Sequence, residues 1–146
     1  MKKIIICLLI GLAALQSFAA EGDWLTDLPK AQALAKAEKK MVLMDFTGSD
    51  WCPPCKALHK NVLISPEFVQ FARANLVLVE VDFPNNKPQS AALKAANNTL
   101  QEKFKVEGYP TVIVLSADGK ELSKEVGYPG TSAQEYVAKL EKLRKQ

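Results

Sequence analysis

Two cysteines three positions apart are the residues of this chain best suited to chemistry. Cys52 and Cys55 lie in the run from Trp51 to Lys56, and their spacing allows a small, reversible disulfide to close, which predicts dithiol redox chemistry. The same spacing also forms half of many zinc sites and occurs by chance in chains without a redox role. The segments around the motif must therefore decide between these alternatives.

The position of the motif predicts how the two thiols divide the work. A strand-like apolar run, Met41 to Phe46, precedes it, and a helix is expected to start at Cys52. Free N–H groups and the helix dipole favour a thiolate at a helix N-terminus. We therefore expect Cys52 to be exposed and to attack a substrate disulfide. Cys55, one turn deeper, should be shielded and should resolve the mixed disulfide. Asp50, in the turn before the motif, is interpreted as a solvated residue.

The N-terminus has the features of a secretory signal. Lys2 and Lys3 form a charged start, an apolar stretch follows from Ile4 to Leu15, and Ser17-Phe18-Ala19 is a small-x-small cleavage site. We expect removal of residues 1–19 and export to the periplasm or beyond. An uncleaved anchor is the alternative, but this apolar stretch is shorter than the ~20 residues that span a bilayer.

Removal of the signal would change both the number of cysteines and the net charge of the chain. Cys7 would leave with the signal, so Cys52 and Cys55 would be the only thiols left, and in an exported protein such a pair favours a disulfide over a metal site. The formal net charge of +3 falls by two when Lys2 and Lys3 are lost. Such a balance gives no electrostatic basis for binding nucleic acid or an anionic membrane.

The remaining chain predicts one domain, residues 20–146, of alternating helices and strands. Apolar runs with β-branched residues predict four strands, of which the second is expected to be central in the sheet: Met41 to Thr47, Leu76 to Phe83, Val112 to Ser116 and Glu121 to Val126. Helical spacing and capping residues predict helices over Trp24 to Lys40, Cys52 to Leu63, Pro66 to Asn75, Gln89 to Lys105 and Ser132 to Arg144.

The motif, the strand before it and the run from Gly108 to Thr111 together resemble the thioredoxin superfamily. The resemblance covers nearly all of the mature chain and implies an α/β thioredoxin fold, with a central mixed sheet of about four strands flanked by helices. Relative to that family, the chain carries an insertion between the second strand and the proline loop, around Pro84 to Leu100, to which the sequence assigns no role.

The two prolines between the cysteines are predicted to tune the redox potential. The resemblance matches Trp51, Cys52 and Cys55, but Pro53 stands where thioredoxins usually carry glycine. Proline has no N–H and a fixed φ, so Pro53 cannot donate to a Cys52 thiolate, and the Pro53-Pro54 pair stiffens the loop. Both effects favour a centre that gives electrons readily. The alternative is that the prolines only make the turn rigid.

The resemblance also implies a substrate groove and a buried acid. The family's proline at the position of Pro110 is cis and faces the cysteines, so Trp51, Tyr109, Pro110 and Thr111 are expected to contact substrate, with Tyr109 setting partner choice. Asp45 stands where thioredoxins bury a proton-relay acid. The family's lysine partner is replaced by Leu78 in the expected register, so a solvated acid at the strand end remains the alternative for Asp45.

These features together predict an exported thiol:disulfide oxidoreductase that reduces protein disulfides as a monomer, without cofactor or metal. By resemblance, a membrane thiol protein would supply its electrons. A disulfide oxidase or isomerase using the same site is one alternative. Another is a Cu(I) carrier using Cys52, Cys55 and His59, although the 1.5 Å rise of a helix places Cys52 and His59 roughly 10 Å apart.

Overall fold

The structure, a computed structural model, describes residues 24–146, so the expected signal segment and Cys7 lie outside the described residues. Within these residues, five α-helices and four strands follow one another. They are α1 (Leu28–Glu38), β1 (Met41–Thr47), α2 (Pro53–Leu58), α3 (Pro66–Asn75), β2 (Leu76–Asp82), α4 (Ala91–Lys103), β3 (Thr111–Leu115), β4 (Glu121–Val126) and α5 (Ala133–Arg144).

The strands form one mixed sheet in the order β2-β1-β3-β4. The strand β1 runs parallel to β2 and antiparallel to β3, and β3 and β4 form an antiparallel hairpin. A four-stranded mixed sheet flanked by helices is the predicted thioredoxin fold, so that prediction is confirmed.

The expected central position of β2 is wrong, because β2 lies at an edge of the sheet. Its apolar run suggested a central strand, but the chain before α1 covers the outer edge. The Leu25 N–H donates to the Leu78 carbonyl at 2.9 Å, and the Leu25 carbonyl accepts from the Glu80 N–H at 2.8 Å. An edge strand that is paired in this way keeps its backbone groups satisfied and can be as apolar as a central one.

Capping residues set the helix starts as the sequence predicts. Asp27 caps α1, Ser65 caps α3, and Ser132 forms a capping box with Glu135 at the start of α5. Helix α1 begins later than the predicted Trp24, because Leu25 is engaged with β2. Each cap supplies an acceptor for backbone N–H groups that a helix end leaves unpaired.

The helix that follows Cys52 changes geometry halfway. It is α-helical over Pro53–Leu58 and continues as a π-helical turn over His59–Leu63. Val62 and Leu63 in this turn are buried, so the wider turn keeps contact with the sheet before α3 begins. The predicted continuous α-helix to Leu63 is therefore correct in extent and wrong in geometry, since a single wide turn has no clear sequence signal.

Two apolar clusters cover the two faces of the sheet. One contains residues from α2, the π-helical turn, α3 and α5, with Phe68 among its buried side chains. The other contains residues from α1 and the strands, with Phe46 fully buried. In the described part of the chain, no helix combines the length and apolar character needed to cross a membrane.

Candidate redox site

The two cysteines lie at the start of α2 and are joined by a disulfide, with 5.3 Å between their Cα atoms. Strand β1 ends at Thr47, and a tight turn reverses the chain, with the Cys52 N–H donating to the Gly48 carbonyl at 2.8 Å. Gly48 is required there because a Cβ atom would overlap the Trp51 indole. The turn places Cys52 at the N-cap position of α2.

The environment of the Cys52 sulfur is poor in backbone donors. Pro53 and Pro54 occupy the first two positions of α2 and have no N–H. The Cys55 N–H, at the third position, lies 3.3 Å from Cys52 Sγ and donates to it. The prolines thus leave one backbone N–H from the first three helical residues to stabilise negative charge on this sulfur.

Burial does not separate the two cysteines as the sequence predicted. Cys52 is 2% exposed and Cys55 is 3% exposed, so the expected exposure of Cys52 is wrong for the disulfide form. The exposed residues at this turn are instead the flanking Trp51, Pro53 and Pro54. The structural difference between the two sulfurs is therefore one of position, because Cys52 lies at the helix N-terminus, where a thiolate is favoured.

The loop before β3 meets the redox motif through aromatic rings. The Tyr109-Pro110 peptide bond is cis, which confirms the prediction for Pro110. The Tyr109 ring lies 5.9 Å from the Trp51 ring, centroid to centroid, and 5.3 Å from the Phe83 ring. Trp51, the residue directly before Cys52, and Tyr109 are therefore neighbours. Phe83 is a third ring that the sequence did not single out.

Thr111 does not face the expected groove. It is fully buried, and its hydroxyl donates to the Gly108 carbonyl at 2.7 Å. This hydrogen bond closes the turn around Pro110, so Thr111 supports the loop from behind. A side chain without exposed surface in this state cannot contact a substrate unless the loop moves.

Asp45 lies in β1, on the same strand that leads into the motif, and is 6% exposed. The alternative that Asp45 is a solvated acid is therefore wrong. Its Oδ1 atom has no hydrogen-bond partner among the described residues. Burial, together with the nearby charges of Glu80 and Asp82, raises the pKa of Asp45 from 3.8 to about 7.

The residue directly opposite Asp45 in the parallel pair is Glu80, whereas Leu78 lies opposite Leu43. The sequence prediction placed Leu78 where the family has its lysine partner to this acid. The residue opposite Asp45 is instead Glu80, a second acid. Glu80 is half-buried, and burial and the charge of Asp82 raise its pKa, while Lys87 and His59 lower it. Aligning the first residues of the two apolar runs, Met41 with Leu76, is the sequence signal that could have placed these two acids side by side.

The insertion after β2 is fastened to the end of that strand. The Asp82 carbonyl accepts hydrogen bonds from Gln89 Nε2 at 3.1 Å and from Asn97 Nδ2 at 2.8 Å. Asn97 is 1% exposed although it lies in α4. The Asp82 carboxylate accepts from the Ser49 N–H and hydroxyl at 3.0 and 2.6 Å. Asp82 thereby joins the insertion to the turn before Cys52.

His59 is exposed at the start of the π-helical turn. Among residues 24–146, no three side chains of His, Cys, Asp or Glu are grouped so that they could hold a metal ion. The copper-carrier alternative thus gains no geometric support from the described residues.

Known proteins resemble this chain along most of its length. A family model described as a thioredoxin-like domain matches residues 28–144. The chain is similar to the disulfide bond reductase DsbH of Chlamydia pneumoniae, with 38% identity over 117 residues that cover 79% of this chain and 70% of DsbH. It is also similar to the thioredoxin-related protein DsbJ of Chlamydia pneumoniae, with 33% identity over 82% of this chain and 36% of DsbJ.

Solved structures of DsbH and DsbD are also similar to this chain. The DsbH oxidoreductase superposes with a TM-score of 0.79 at 34% identity, covering 87% of each chain. The C-terminal domain of DsbD from Neisseria meningitidis, in its reduced form, superposes with a TM-score of 0.59 at 26% identity and covers 79% of this chain and 92% of that domain.

Proposed function

We propose that this chain, which belongs to the thioredoxin-like domain family, reduces the disulfides of exported proteins. The chain is a thiol:disulfide oxidoreductase with a disulfide-forming pair, Cys52 and Cys55. The observation that carries the reducing direction is the shortage of donors at Cys52, where Pro53 and Pro54 have no N–H to offer a thiolate. A less stabilised thiolate disfavours the dithiol form and so favours donation of electrons.

The reaction begins from the reduced pair. The Cys52 thiolate attacks one sulfur of a substrate disulfide, and the other substrate sulfur leaves as a thiolate. The Cys55 sulfur, after losing its proton, then attacks Cys52 Sγ and breaks the mixed disulfide. The substrate departs with both sulfurs reduced, and the enzyme ends with the Cys52–Cys55 disulfide present in the structure.

Asp45 is proposed as the acceptor of the Cys55 proton. A carboxyl group exchanges protons best when its pKa is near the working pH, and burial raises the pKa of Asp45 to about 7. Its Oδ1, which has no hydrogen-bond partner among residues 24–146, is the oxygen proposed to take the proton. The half-buried Glu80, on the edge strand β2, lies opposite Asp45.

Substrate recognition is proposed for the aromatic side of the motif. Trp51 is 40% exposed and Tyr109 is half-buried, and the two rings pack edge to face beside Cys52. Pro110 shapes the loop that carries Tyr109. We expect Tyr109→Ala to change which proteins are bound, because the ring contributes contact area and not chemistry.

The cellular setting completes the proposal. Removal of residues 1–19 would release a single domain, residues 20–146, into the periplasm or the medium, where it would act as a monomer without nucleic acid. A membrane thiol protein would return two electrons to the disulfide after each cycle. Similarity to a protein named as a disulfide bond reductase supports this direction.

The test is reduction of insulin by the mature protein with a dithiol donor. The wild-type protein should reduce insulin, and Cys52→Ser should abolish the activity because no thiolate remains at the helix N-terminus. His59→Ala, which leaves both thiols in place, is the matched control and should remain nearly as active as wild type. Tight stoichiometric Cu(I) binding that His59→Ala destroys would instead favour a metal carrier.

Trapping tests the division of roles between the thiols. Cys55→Ala should accumulate mixed disulfides with exported proteins, because Cys52 can attack but nothing releases the product. Cys52→Ala should trap none. Equal trapping by both variants would contradict the assignment of attacker and resolver.

A further inference from the structure

Asp50, the residue before Trp51, holds a loop from the insertion. Its Oδ1 accepts from the Asn85 N–H at 3.0 Å, and its Oδ2 accepts from the Asn86 and Lys87 N–H groups at 2.6 and 3.2 Å. The expectation that Asp50 is merely a solvated turn residue is therefore wrong. These backbone N–H groups, first of all that of Asn85, hold the pKa of Asp50 below 3.8, so the carboxyl is ionised near neutral pH.

Further hydrogen bonds join the same two segments, which we call the redox turn (residues 48–51) and the clasp loop (residues 83–88). The Trp51 indole Nε1 donates to the Phe83 carbonyl at 2.8 Å. Lys87 Nζ donates to Ser49 Oγ at 2.9 Å. A separate bond joins the redox turn to helix α2, where Lys56 Nζ donates to the Asp50 carbonyl at 2.9 Å. The redox turn and the clasp loop are thus tied at both ends, with the Asp50 carboxylate at the tip of the loop.

The clasp loop carries the Phe83 ring, and the Phe83 N–H also donates to the Thr47 carbonyl of β1 at 2.9 Å. Phe83 begins the clasp loop, its ring lies 5.3 Å from Tyr109, and Tyr109 in turn lies 5.9 Å from Trp51. The Tyr109 ring thus contacts both other rings, and Trp51 is the residue directly before Cys52. We expect a polypeptide substrate whose disulfide reaches Cys52 to contact these rings, and a small disulfide to contact them less.

We propose that Asp50 is a positioning residue for protein substrates: its carboxylate holds the clasp loop so that Phe83, Tyr109 and Trp51 keep one fixed arrangement beside Cys52. The inference rests on the proposed function only in taking a protein disulfide as the substrate. Asp50 does not touch the reacting sulfurs, so its loss should impair recognition of a protein and leave the chemistry intact. Hydrogen bonds to a charged acceptor contribute more than neutral ones, so an uncharged amide should hold the loop less well.

The first experiment measures amide hydrogen exchange in the clasp loop, in Asp50→Asn and in the matched control Asp118→Asn. Asp118 is an exposed aspartate in the turn between β3 and β4. We expect hydrogen exchange at the Asn85, Asn86 and Lys87 amides to accelerate by about tenfold in Asp50→Asn, because that factor corresponds to the loss of one charge-assisted bond. The control should leave those amides unchanged. Unchanged exchange in Asp50→Asn would overturn the inference.

A spectroscopic signature follows the rings. In a Trp24→Phe background Trp51 is the sole tryptophan, and its emission reports the contact with Tyr109 and the clasp loop. We expect Asp50→Asn to increase quenching of Trp51 by acrylamide, and Asp118→Asn to leave it unaltered. If Asp50→Asn folds poorly by circular dichroism, Asp50→Ser, whose hydroxyl is another short acceptor, replaces it in every measurement. Equal quenching in variant and control would count against the inference.

The second experiment compares two substrates. For insulin, kcat/KM should fall by about tenfold in Asp50→Asn, chiefly through a higher KM, since one charge-assisted hydrogen bond corresponds to that factor. For the small disulfide hydroxyethyl disulfide, kcat/KM should stay within about twofold of wild type, because the reacting sulfurs are unchanged in Asp50→Asn. Equal losses on both substrates, or no loss on either, would overturn the positioning role. Failure of wild type to reduce insulin would defeat the proposed function instead, and the exchange and quenching results would then decide the inference.

Discussion

The two faces of strands β1 and β2 are built differently, although both are covered by helices. One face is apolar from end to end, with Val42, Met44 and Phe46 in β1 all at 0% exposure. The other face begins as apolar with Leu43 and Leu78 and ends as acidic, with Asp45 and Glu80 opposite one another. The acidic end is the end of β1 that leads into the redox turn.

This difference separates the part of the sheet that stabilises the fold from the part for which we propose a role in the chemistry. Burying an acid without a partner costs free energy, and Asp45 has one oxygen without a partner among the described residues. An apolar side chain at this position would avoid that cost. We attribute its retention to the proposed transfer of the Cys55 proton.

The largest effect is expected on the apolar face. Phe46→Ala removes a fully buried ring and should lower the free energy of unfolding by about 3 to 5 kcal/mol through lost burial and the cavity left behind. Urea denaturation measures it. Leu34→Ala, at a position 41% exposed in α1, should change stability by less than about 0.5 kcal/mol. A loss below about 1 kcal/mol for Phe46→Ala would show that this face is not the stabilising one.

On the acidic end, Asp45→Asn should stabilise the protein in alkali. The folded pKa of Asp45 is about 7 and the ordinary value is 3.8, so the folded state binds the extra proton between these values. The stabilisation that comes from this raised pKa is fully present below pH 3.8 and is lost as the pH rises through about 7. Asparagine cannot ionise, so the variant should exceed wild type by about 2 to 4 kcal/mol at pH 9.

The same variant separates stability from catalysis. The stability difference between Asp45→Asn and wild type should disappear at pH 4, and Asp118→Asn should show no such pH dependence. Release of the mixed disulfide, followed in a single turnover, should slow in Asp45→Asn because Cys55 loses its proton acceptor. Unchanged release with increased stability would make Asp45 a burial cost without a role in the reaction.

The smallest effect is expected from Glu80→Gln, which alters one neighbour of Asp45. Removing the charge of Glu80 should lower the pKa of Asp45 from about 7, because that charge disfavours ionisation of the buried acid. Burial remains the main cause, so the pKa should stay above 3.8. NMR titration of the Asp45 carboxyl measures it, with Glu107→Gln on the surface as the control. An unaltered titration would mean that the two acids do not interact.

Sequence patterns predicted the elements whose determinants are local. The strand β1 and the helix α3 have the predicted bounds, because an apolar run and a Ser-Pro-Glu start are complete within a few residues. The disulfide between Cys52 and Cys55 followed from their spacing, and the cis Pro110 followed from a family resemblance carried by short motifs. These features need no knowledge of distant contacts.

The features that the sequence did not predict depend on residues far apart in the chain. Asp50 binds backbone groups 35 to 37 positions away, and no local pattern marks an aspartate as an anchor for a distant loop. The edge position of β2 depends on Leu25, and the pairing of Asp45 with Glu80 depends on the register. The burial of Cys52 is likewise not marked by any local pattern.

The reduction potential of the Cys52–Cys55 pair is the most direct test of the account. Equilibration of the mature protein with glutathione redox buffers should give a value nearer to the ~−270 mV of thioredoxin than to the ~−120 mV of a strong oxidase, since Pro53 and Pro54 leave the thiolate with few donors. Pro53→Gly, measured beside it, should move to a less negative potential. A wild-type value above about −180 mV would contradict the assignment as a reductant.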